Sequence, residues 1–105
     1  MTAFVLNPKP TFDLTIKVPV PGEEPAPLTL TCRYRSGSEL KAYLDSVGKQ
    51  EENSLATFKD LVVGWKLAES FSDENINTLL DNYPAAIGLV IEAYVGELLG
   101  NRQKN

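Results

Sequence analysis

The chain contains no histidine, one cysteine, and no lysine or arginine between Leu67 and Asn101. Each absence removes a class of function. Without histidine the commonest general base and metal ligand is missing, so Ser-His and Cys-His nucleophilic pairs and His-based metal sites are excluded. A lone Cys32 permits no intrachain disulfide, which is the usage of a reducing compartment. There is also no G-x-x-x-x-G-K-[ST] phosphate loop and no CxxC. No apolar run approaches the roughly 20 residues of a membrane span, and "MTAFVLNPKP" lacks a basic stretch before its short apolar run, so neither a span nor a secretory signal is expected. Cofactors and metals are expected to be none.

Charge is divided unevenly. Residues 1–66 balance eight acids against eight bases, whereas 67–101 carry six acids (Glu69, Asp73, Glu74, Asp81, Glu92, Glu97) and no base. Phosphate contacts need clustered cations, so nucleic acid is excluded as a partner of that half. The acidic half reads either as a solvated face or as a surface for a basic partner.

With 105 residues and 43% hydrophobic content, one core can form. The expected division is an N-terminal arm over residues 1–10, flexible and carrying Pro8 and Pro10, a single α+β domain over 11–100, and a polar tail over 101–105. Within the domain, 11–35 is a hairpin and 36–100 is helical. Phe12, Leu14, Ile16, Val18 and Val20 alternate with polar residues, as do Leu28, Leu30, Cys32 and Tyr34, giving two strands with one buried face each, joined by "PGEEPAP". Cys32 lies on the apolar face and reads as a small core residue.

Four helices follow by pattern. Ser36 and Glu39 have capping-box spacing ahead of Leu40, Tyr43, Leu44 and Val47, with Gly48 at the expected stop. Ser54 opens a second stripe of Leu55, Phe58, Leu61, Val62 and Trp65, predicting a helix that ends near Lys66 or Leu67. Ser72 caps a third, with Asp73 and Glu74 in its first turn where the dipole favours anions. Tyr83-Pro84 breaks it, and a fourth helix is predicted from Pro84 to a stop at Gly100. The fold class is α+β: an N-terminal antiparallel β-hairpin followed by about four α-helices.

No catalytic residue emerges. Asp73, Glu74 and Asp81 could bind a hard cation, but acids in a first helical turn are ordinarily dipole complements. Trp65, Phe71, Tyr83 and Tyr94 are the candidate partner-binding residues, because aromatics supply most interface hot spots. Trp65 and Phe71 read equally as core. The segment from Trp65 to Pro84 is expected to form one wall of a partner groove.

The hairpin leading into "RSGSEL", then Gly64-Trp65, Phe71-Ser72 with Glu74-Asn75, Leu79-Leu80, Tyr83-Pro84 and Ala93-Tyr94, resembles the tail assembly chaperones of long-tailed bacteriophages over residues 11–99. The resemblance implies a non-enzymatic protein that coats the helical tape measure protein before the tail tube forms, and that acts in the host cytoplasm and is absent from the mature virion. It further implies a homo-oligomer with itself, and in some members a frameshift-extended form; Lys104-Asn105 is compatible with an A-rich slippery codon pair. Membrane and nucleic acid are not among the implied partners. Two other classes remain open: a generic oligomeric interaction adaptor or regulator, and a small metal-assisted enzyme built on the three acids.

Overall fold

The alternation of apolar and polar residues is realised as β1 (Thr11–Val18) and β2 (Ala26–Arg33), paired antiparallel from Thr11↔Arg33 to Val18↔Ala26. Leu14, Ile16, Val18, Leu28, Leu30 and Cys32 are buried on one face. The opposite face is polar, with Thr15 and Thr29 hydroxyls 2.8 Å apart and Thr31 donating to Asp13. Gly22, at φ 78, makes the left-handed step in the connecting turn. These positions come from a computed structural model, which describes residues 4–47 and 54–100.

Helix α1 (Gly37–Val47) starts at the predicted capping box: Ser36 N–H donates to Glu39 Oε1 at 2.8 Å, and Glu39 N–H donates back to Ser36 Oγ at 3.3 Å. Accepting that backbone bond, followed by the Ser36 side-chain bond, lowers the Glu39 carboxyl pKa. Leu40 and Tyr43 enter the core, while Leu44 of the same stripe is 40% exposed. Gly48, expected as the cap, lies outside the described residues.

The second helix departs from expectation. Helix α2 (Ser54–Leu61) stops five or six residues early, and Val62–Trp65 becomes a third strand, β3, paired antiparallel with β2. The sheet therefore has three strands in the order β1-β2-β3. Two arginines on and beside β2 explain the stop. Arg33 donates from Nε to Asp60 O at 3.2 Å and from Nη2 to Lys59 O at 3.4 Å, and Arg35 donates from Nη1 to Asp60 O at 3.0 Å. Cationic donors on a helix's final carbonyls satisfy acceptors that the next turn would otherwise use. The register then shifts: Leu30 faces Trp65, but Cys32 faces Val62, so three steps on β3 match two on β2. This bulge puts Val62 and Trp65 on the same inner face. Helix-like spacing of three is thus met by a bulged strand.

Helix α3 (Asp73–Asn82) is capped by Ser72, whose Oγ accepts from Asn75 N–H at 3.2 Å, with Asp73 and Glu74 in its first turn. Lys59 Nζ lies 2.7 Å from Asp73, an exposed pair joining α2 to the start of α3 and worth no more than about 1 kcal/mol. The break at Tyr83-Pro84 is present, but α4 (Ala86–Leu99) begins two residues beyond Pro84, which sits in a turn closed by Ala86 N–H donating to Tyr83 O. Gly100 ends α4 in the left-handed conformation, φ 73, with its N–H on Gly96 O.

The helices cover the inner face of the sheet around Phe58, Leu61, Ile76, Val90 and Tyr94, all fully buried. Tyr94 joins three elements. Its ring stacks on Phe12 of β1 at 5.8 Å, its hydroxyl donates to Arg33 O at 2.5 Å, and it accepts from Arg35 Nη1 at 3.2 Å. The Arg35 guanidinium also sits 4.4 Å above the Tyr43 ring. Tyr94→Phe keeps the ring and removes both hydrogen bonds, leaving Arg33 O without its side-chain donor. Urea unfolding should show a loss of about 1 to 3 kcal/mol, larger than an ordinary surface substitution produces. An unchanged unfolding midpoint would show that the hydroxyl does not hold α4 to β2.

Candidate functional site

The inner face of the sheet is incompletely covered at the turn end of the hairpin. There, a cleft of about 360 Å³ opens between the sheet and α3. Val18, Val20, Ala26, Pro27 and Leu28 form its floor, Trp65 and Leu67 one side, and Thr78, Leu79 and Tyr83 the other. Asn75 and Asn82 add polar rims, and Glu69 is the one charged residue lining it. A mostly apolar concavity with a few polar groups is the usual form of a binding site.

The bulge in β3 builds the cleft's aromatic wall. It turns Trp65 inward, where the indole meets Phe71 edge-on at 5.1 Å and 88°, and Phe58 at 6.4 Å. The indole N–H donates to Glu69 O at 2.8 Å, folding the following loop back on the ring. Asn75 Nδ2 on Ser70 O at 2.8 Å and the Ser72 cap fix the loop's other end. Tyr83 is held at the end of α3 by its N–H on Leu79 O, 2.9 Å. Trp65 is thus both half-buried against the core and half-available to the cleft.

The four aromatics named from sequence therefore separate. Trp65 and Tyr83 share the cleft. Phe71 stands behind Trp65, packed on it and on Phe58, and does not line the opening. Tyr94 is placed elsewhere: it is fully buried beneath β1 and its hydroxyl is taken up by Arg33 and Arg35, so it presents no surface to a partner. Leu67 and Leu79 fall within the Trp65–Pro84 wall without being singled out from sequence, and sequence reasoning misses Val18, Val20 and Leu28 as lining residues. Leu67, 41% exposed, carries one signal, an apolar residue just past a stripe's end and off its face; the hairpin residues carry none, because their pattern is that of any buried strand face.

Among the described residues, no group of three or more His, Cys, Asp or Glu side chains is placed to hold a metal ion, and no described helix is long and apolar enough to cross a membrane. Asp73 and Glu74 are exposed at the start of α3 and Asp81 is exposed near its end. Cys32 is fully buried, and that burial, helped by the negative charge of Asp13, raises its thiol pKa from 9.0 to about 12. A protonated, enclosed thiol is a poor nucleophile.

The fold and the cleft define a class, a small α+β protein with an apolar groove walled in part by aromatic side chains. The family model described as phage tail assembly chaperone matches residues 1–105, and the chain belongs to that family. Curated proteins and solved structures give no match.

The Cys32 environment has a measurable consequence. The folded-state pKa is raised, so the contribution is fully present below about pH 9 and is lost as pH rises towards about 12, where the unfolded chain ionises first. Burial raises Tyr43 and Tyr94 as well, adding to the same direction. The melting temperature should fall on raising the pH above about 9, and a thiol reagent should label Cys32 only in denaturant. Rapid labelling of the native protein would show that the strand face opens readily.

Proposed function

We propose that the protein binds the tape measure protein through the cleft and holds it for tail tube assembly. Family membership supports the general role; the apolar groove supports the mode. A groove of this lining suits the apolar ridge of an amphipathic helix, with side chains seated against Trp65, Leu67, Leu79 and Tyr83. Glu69 lines the opening, and the chain from Leu67 to Asn101 has no basic residue, so cationic flanks on the bound helix would be favoured. The action is binding and release, not bond chemistry. It takes place in the host cytoplasm, before the finished virion, and a frameshift-extended form sharing this domain would carry the same cleft.

The observation that carries this reading is the inward-turned Trp65 at an apolar opening. Trp65 is the only tryptophan, so its fluorescence reports occupancy directly. Titration with helical segments of the phage's own tape measure protein should shift that emission saturably. Leu67→Glu puts a charge at the rim, on an already exposed position, and should weaken binding at least about tenfold, with little change in melting temperature. Equal binding by Leu67→Glu and the parent protein would place the tape measure contact on another surface.

A further inference from the structure

The outer edge of β1 has a self-complementary pattern. Tyr34 N–H donates to Pro10 O at 2.9 Å, and bonded pairs alternate along an antiparallel ladder, so Phe12, Leu14, Ile16 and Val18 direct their backbone groups to β2. The N–H and C=O groups of Thr11, Asp13, Thr15 and Lys17 therefore point away from the sheet. All four residues are exposed, and no described residue hydrogen-bonds to these outward groups. The strand runs eight residues with no bulge and no proline against β2, the kind of edge that templates pairing with another chain.

We infer that β1 pairs antiparallel with β1 of a second copy, with the two-fold axis at Thr15, giving a continuous six-stranded sheet. Charge selects the register. Centred on Thr15, Asp13 of each copy lies opposite Lys17 of the other, on the same polar face, and Lys17 has no ion-pair partner of its own among the described residues. A two-residue slip separates these charges; a four-residue slip sets Asp13 on Asp13 or Lys17 on Lys17. The centred register also forms about six ladder bonds between outward groups. On the inner face it brings Leu14 opposite Ile16 and Phe12 opposite Val18, extending the apolar face without a polar interruption. Pro19, which lacks a donor, ends the pairing. The contact is isologous and closes on itself. It uses outward backbone groups of β1, whereas the cleft uses inward side chains, so either can fail without the other.

The test is a charge-swap pair measured by analytical ultracentrifugation from micromolar to millimolar concentration. The parent protein should sediment as a dimer of the 11.5 kDa chain. Asp13→Lys alone opposes two cations at both symmetry-related pairs, and Lys17→Asp alone opposes two anions there, so each should weaken self-association at least about tenfold. Mixing the two variants restores opposite charges at both pairs, and a heterodimer should form. Circular dichroism establishes that each variant is folded. Independently of any substitution, amide exchange at Asp13, Thr15 and Lys17 should slow as the parent protein is concentrated. A monomeric parent across the range would overturn the inference. So would single variants that dimerise like the parent, folded variants whose mixture stays monomeric, or exchange at these amides that ignores concentration.

Discussion

The structure depends on two guanidinium groups taking the last carbonyls of a helix. Arg33 and Arg35, at the end of β2 and just past it, hold Lys59 O and Asp60 O. Those acceptors lie at the negative end of the α2 dipole, so positive donors there are doubly favoured. With them occupied, the chain leaves helical geometry at Leu61 and is already beside β2, ready to pair. The third strand, the inward turn of Trp65 and the aromatic wall of the cleft all follow from that exit. The Tyr94 hydroxyl, on Arg33 O and Arg35 Nη1, ties α4 to the same point. One polar knot therefore fixes the relative placement of sheet, α2 and α4.

Much of this is legible from residues. Period-two alternation defines the hairpin face, and the Ser36–Glu39 and Ser72 caps mark helix starts within a residue or so of where they lie. Those signals are local, and local chemistry suffices to decide them. Val62–Trp65 misleads for a physical reason: Leu61, Val62 and Trp65 at spacings of one and three continue a helical stripe equally well, and a bulged strand reproduces that spacing. Only Arg33 and Arg35, some 25 residues upstream in sequence, settle the choice. Pro84 has the chemistry of a first helical position, but the turn after Tyr83 takes up two residues before α4 begins.

The candidate site is legible in half. Trp65 and Tyr83 stand together because both flank the 66–82 segment, whose loop and helix return the chain to the sheet. Tyr94 cannot be separated from them by type, since a tyrosine on an apolar stripe can be an anchor at a surface or a buried donor. Its partner, the carbonyl of Arg33, is invisible to any periodicity. The lining contributed by the hairpin is equally hidden: Val18 and Leu28 differ from Leu14 and Leu30 only in lying nearer the end of the sheet that α3 leaves uncovered.

Cleft and edge strand place different demands on the same hairpin. The inner side of β1 and β2 supplies an apolar floor, and the outer edge of β1 supplies unpaired backbone groups whose flanking charges, Asp13 and Lys17, are spaced to match their own reversal. A dimer closed through that edge would carry two clefts, set at opposite ends because the strands run antiparallel. Two grooves on a rigid sheet suit a long helical partner better than one, since the second contact forms at high effective concentration when the spacing allows it. Under the proposed function, weak individual grooves would suffice for capture, and each could be vacated in turn. A cleft repeated by symmetry would in that case reconcile retention of such a partner with its release.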